Sequence, residues 1–159
     1  MSRKLRILSA LLGGGFYLAA LFLPVFQIAS SGDPTVIRGY DAFEMGWNAW
    51  ADDYRFWQLN GRDLMEAIVL RVAWLANLYL WAAAIAVLFG KYRTTVFLAG
   101  AAVLFQLPVA WYYGSAVAAT PAYVLWILTS IWLFMVGLTT LVVRRRRSRP
   151  HKLALPHEL

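Results

Sequence analysis

Cysteine is absent from the chain, which excludes disulfides, thiolate zinc sites, iron–sulfur clusters and cysteine nucleophiles. Histidine is scarce, and both copies, His151 and His157, lie near the C-terminus. No HExxH, GxSxG, phosphate-loop or dinucleotide-binding glycine pattern occurs. The chain therefore reads as non-enzymatic, with no cofactor and no metal site. Charge is also scarce, at 14% of residues against about 25% in a soluble domain. Hydrophobic residues reach 61%, more apolar surface than a soluble globule of 159 residues can hide. A soluble fold is excluded.

What the chain has in quantity is long apolar runs. A bilayer core needs about 20 apolar residues in a helix. Runs of that kind fall near Ile7–Gln27, Ala67–Phe89, Thr94–Tyr113 and Ala122–Val143. None contains a carboxylate or a histidine, which weighs against proton-coupled transport. The first run follows a basic start, as a signal peptide does, but it is longer than the usual ~7–15 residues and includes Tyr17 and Pro24. It reads as an uncleaved helix. The expected fold is all-α: a four-transmembrane-helix antiparallel bundle over residues 1–143, with a partly helical periplasmic loop and a basic tail at 144–159.

The net charge of +7 is divided between the two sides. Arg3, Lys4 and Arg6 precede the first run, Lys91 and Arg93 separate the second from the third, and Arg144–Arg147, Arg149 and Lys152 follow the fourth. With four spans all three groups share one side, expected to be cytoplasmic. Asp33, Asp41, Glu44, Asp52, Asp53, Asp63 and Glu66 share the other. Beside a span, each basic residue gains about 1 kcal/mol from anionic lipid. The tail thus points to lipid binding and topology, not to nucleic acid.

Ile28–Glu66 is the one long connection. Thr35-Val36-Ile37 is β-branched and is expected to extend briefly. Asp41 and Glu44 have capping-box spacing, and Phe43, Trp47 and Trp50 then recur on one helical face. Those rings suit a helix lying at headgroup level. They equally suit a recognition surface, to which Tyr40, Tyr54 and Trp57 add aromatic contacts and Asp52 and Asp53 add charge for a basic partner. Asn60-Gly61 signals a turn, and Asp63 with Glu66 repeats the capping box before the second span.

Within the spans, Arg71 is the one charge, placed shallowly enough to snorkel toward Glu66, Asp63 or a loop carboxylate. A buried anchor for an anionic group is the alternative. Converted to depth, Tyr17, Asn77, Gln106, Thr129 and Ser130 all fall about 11–15 Å below the outer ends. They form one expected layer, either a structural hydrogen-bond layer or a permeation site, in which Asn77 and Gln106 should meet directly or through water. Ser9 and the Gly13-Gly14-Gly15 run suit close helix packing. Pro24 and Pro108 should bend or end their spans.

Small multidrug-resistance transporters have this size, but their hallmark glutamate in the first helix is missing. The layout resembles small four-span proteins of bacterial inner membranes that carry a GYDAFxxG-like segment, here Gly39-Tyr40-Asp41-Ala42-Phe43-Glu44-Met45-Gly46, in the outer loop. Its topology is similar to that of immunity proteins against membrane-damaging effectors. The resemblance implies a binding protein that blocks a toxin in the periplasm or bilayer. It transfers no binding residues. A small transporter or channel component, or a structural accessory subunit of a membrane complex, is the alternative.

Overall fold

The computed structural model describes residues 1–28, 35–51, 59–114, 117 and 120–147. Among them run α1 (Arg3–Phe22), β1 (Pro24–Ile28), β2 (Thr35–Arg38), α2 (Gly39–Ala51), α3 (Gly61–Leu88), α4 (Tyr92–Tyr113) and α5 (Pro121–Arg147). α1, α3, α4 and α5 are each long and apolar enough to cross a membrane. They pack as an antiparallel bundle, with α1 between α3 and α5 on one side and α4 between them on the other. This is a multi-pass membrane protein.

The packing shows why these helices need lipid. Ala76, Ala83, Ala99 and Ala102 are fully buried between helices, whereas Leu11, Phe22, Phe97, Leu104 and Trp111 point outward, 66–75% exposed. Water would favour the reverse arrangement. In hydrocarbon the large side chains are already solvated, and small ones let backbones approach. Ser9 and Gly13 follow that rule: the Trp132 indole donates to the Ser9 carbonyl at 3.1 Å, and Gly13 faces Leu133. Gly14 and Gly15 do not, since a Cβ at either would meet nothing within 4 Å. Only the first glycine of the run serves the packing expected of all three.

The apolar runs and the helices have different limits. α1 stops at Phe22, not Gln27, because Pro24 opens β1, which pairs antiparallel with β2. α3 starts at Gly61, six residues before the apolar run, because backbone hydrogen bonds continue through polar residues that hydropathy rejects. Pro108 does not end its span but is accommodated inside α4. The expected extension at Thr35–Ile37 is present as β2; its partner strand was not foreseen, because Pro24–Ile28 reads as more apolar helix.

Both capping boxes are also corrected. α2 begins two residues before Asp41, whose Oδ2 reaches back to accept from the Arg38 N–H at 2.8 Å. Asp41 thus sits at the third helical position and reaches back to the residue before the helix. Its spacing to Glu44 implies instead that Asp41 is the cap and Glu44 the residue reaching back. At α3, Asn60 is the cap residue without a side-chain cap bond, and Glu66 accepts from Tyr113 Oη at 2.9 Å, joining α3 to α4.

Candidate functional site

At the acidic end of the bundle, α2 docks against α3 and α1. Two glycines make the docking possible. A Cβ at Gly39 would overlap the Ala20 carbonyl oxygen and come within 2.7 Å of Leu21 Cα, so the α2 start touches the α1 backbone. At Gly46 a Cβ would lie 3.1 Å from Trp74 Cβ and 3.3 Å from the Leu70 carbonyl oxygen. The two glycines of the GYDAFxxG-like segment are therefore contact points with two different spans.

Aromatic rings set the register of α2 along α3. Phe43 lies 6.1 Å from Trp74 and 5.9 Å from Trp81, and Trp47 lies 5.3 Å from Trp74. Trp50 donates from Nε1 to the Arg71 carbonyl at 3.1 Å. Arg71 Nε returns a 2.7 Å bond to the Ala49 carbonyl, and its guanidinium sits 5.3 Å from the Trp50 ring centroid. Arg71 to Trp81 spans about 15 Å of helix. α2 therefore lies along α3, not flat above the bundle as an interfacial helix would. Arg71 fastens α2 in place: its cationic charge is stabilised by a ring face and its Nε–H by a carbonyl.

Deeper in the bundle, four members of the expected polar layer do meet, around a residue the sequence did not single out. Asn77 Oδ1 accepts from Tyr17 Oη at 3.1 Å and from Trp126 Nε1 at 3.0 Å. An indole N–H can only donate, which fixes the amide oxygen toward it. Gln106 Nε2 donates to Ser130 Oγ at 3.0 Å and to the Trp126 carbonyl at 3.4 Å. Asn77 and Gln106 share Trp126, one through its indole and one through its carbonyl, and make no direct bond. Thr129 leaves the layer and donates to the Leu125 carbonyl on its own helix. A buried indole N–H needs a partner, so Trp126 was identifiable in principle. Its helical phase toward Asn77 was not.

Between α2 and the four spans lies a cavity of about 90 Å³. Its lining draws on Tyr17 of α1, Phe43 of α2, Trp74 and Asn77 of α3, Val109 of α4 and Trp126 of α5. Val25 joins them from the irregularity between the paired residues Pro24 and Phe26. The cavity is partly open at its edge, neither a sealed void nor a flat surface. Several waters fit by volume, but nearly all of the wall is carbon, which holds water poorly.

No known protein family, curated protein or solved structure matches the chain. Of the residues expected to bind a partner, Trp47, Trp50 and Arg71 come together on the α2–α3 seam. Tyr40 lies at the α2 start, 45% exposed. Asp52, Asp53, Tyr54 and Trp57 lie outside the described residues. Trp74 and Trp81 complete the seam from the α3 side and were missed, because tryptophan in an apolar segment reads first as an anchoring residue.

Proposed function

We propose that the chain is a non-enzymatic binding protein of a bacterial inner membrane, with both termini cytoplasmic, that recognises a protein partner through the outward rings of α2. Its most concrete form is an immunity protein that neutralises a membrane-damaging toxin. One observation carries this reading: Trp47 and Trp50 are 53% and 39% exposed, yet both are held in place by α3. Exposed rings that are already ordered lose little freedom on binding, which is what interface anchors require. The orientation is supported by the charge division, with Arg3, Lys4, Lys91, Arg93 and Arg144–Arg146 exposed at the end opposite Asp63 and Glu44. That basic end also suits anionic lipid.

Replacing Trp47 and Trp50 together with alanine should reduce protection in competition against the parent strain, at unchanged membrane abundance. Deleting residues 150–159 should be tolerated. Full protection by the double variant would rule out recognition through α2. The cysteine-free chain also permits a clean topology test: Ser31→Cys should label in intact cells and Ser148→Cys should not. The opposite pattern would invert the protein.

A further inference from the structure

The cavity behind α2 carries an unused hydrogen-bonding group. Asn77 is 7% exposed and lines the cavity. Its Oδ1 is saturated by Tyr17 and Trp126, while its Nδ2 hydrogens have no partner among the described residues. An amide donor left unpaired in an apolar wall is costly. The other donors on the same wall do not compete: Tyr17 donates to Asn77, Tyr113 to Glu66 and Tyr123 to the Gln106 carbonyl, and Trp74 Nε1, though without a partner, is itself buried away from the open space.

We propose that this cavity binds a neutral, lipid-soluble carbonyl compound of the ketone or quinone class. Its oxygen accepts from Asn77 Nδ2, and its apolar body lies against Phe43, Trp74 and Trp126. The ligand is an acceptor because the free capacity is a donor. It is neutral because no residue lining the cavity carries a charge. A glycerolipid ester does not qualify, since Asn77 lies about 15 Å along the helix from Ala67, well below the interface where such esters reside. The molecule has to dissolve in the hydrocarbon itself. α2 supplies one wall through Gly39, Ala42 and Phe43, so ligand entry and α2 seating are linked. The inference does not depend on α2 also recognising a protein.

The test uses the full chain in lipid nanodiscs with a decyl-substituted benzoquinone, and with decylbenzene as the oxygen-free counterpart. Infrared spectra should show a carbonyl band shifted to lower frequency than in protein-free nanodiscs and saturating at one quinone per protein. Decylbenzene should displace it only at about ten-fold higher concentration, the factor that one hydrogen bond supplies. Asn77→Leu should remove the shifted band. Because that variant also orphans Tyr17 and Trp126, Ala73→Phe serves as the second: it fills the cavity, leaves every Asn77 bond in place and should also abolish saturable binding. The proposal is overturned by absence of a saturable shifted band in the wild type, by equal competition from decylbenzene, or by an unchanged band in Ala73→Phe.

Discussion

The two halves of the bundle are built on different principles. Toward the basic end, Ala83, Val87, Ala99, Ala102 and Leu133 close the interior, and Gly137 sits where a Cβ would come within 2.8 Å of Val96 Cγ2. Toward the acidic end, the interior is lined by Tyr17, Trp74, Tyr123 and Trp126, α2 is wedged in beside the spans, and a cavity remains. Small side chains permit close backbone approach and leave no space. Large rings leave gaps between helices, which polar contacts and α2 fill only in part. The tight half leaves no room beside its backbones; the half built on rings leaves a cavity and presents rings that are already ordered.

The largest effect should come from Gly39→Ala. The added methyl meets α1 backbone, which cannot rotate away, so over-packing of about 3 kcal/mol is expected, with α2 unseated. Thermal unfolding in nanodiscs and the emission maximum of the Trp74-containing seam would report it. A variant as stable as wild type would show that α2 is not wedged and would erase the contrast between the halves.

A smaller effect distinguishes the two amides. Asn77→Leu leaves the Tyr17 hydroxyl and the Trp126 indole without their shared acceptor, a loss of about 1–2 kcal/mol for two interhelical bonds. Gln106→Leu should cost under about 1 kcal/mol. It removes Oε1, which is buried without a partner, and it leaves Ser130 able to turn to the Trp126 carbonyl four residues back on its own helix. Equal losses in paired unfolding measurements would mean that the layer is one indivisible network.

The smallest effect is expected where α1 faces lipid. Gly14→Ala meets no neighbour and replaces a helix-interior glycine, so a gain of about 0.5–1 kcal/mol should appear as a small rise in unfolding temperature. A loss there would mean that the outer face of α1 packs on something.

Much of this was legible in the chain, and each part for a definite reason. Four apolar runs can cross a bilayer only as helices, because backbone groups have no other partner in hydrocarbon. Depth along a straight helix is a count of residues, so Tyr17, Asn77, Gln106 and Ser130 could be placed in one layer before any packing was known. The period of Phe43, Trp47 and Trp50 identified one face of α2 for the same reason. What depth and period leave open is rotation about each helix axis and the partner across it. That rotation gives Trp126 to Asn77, turns Thr129 back on its own helix, and separates Gly13, which touches α5, from Gly14 and Gly15, which touch nothing. Only tertiary structure could direct Arg71 to the Ala49 carbonyl and make Gly39 the point where α2 meets α1, because both contacts are to backbone, and backbone carries no sequence signal. The cavity is likewise a property of the gap between helices, which residue order sets only through the way the rings of five different elements pack together.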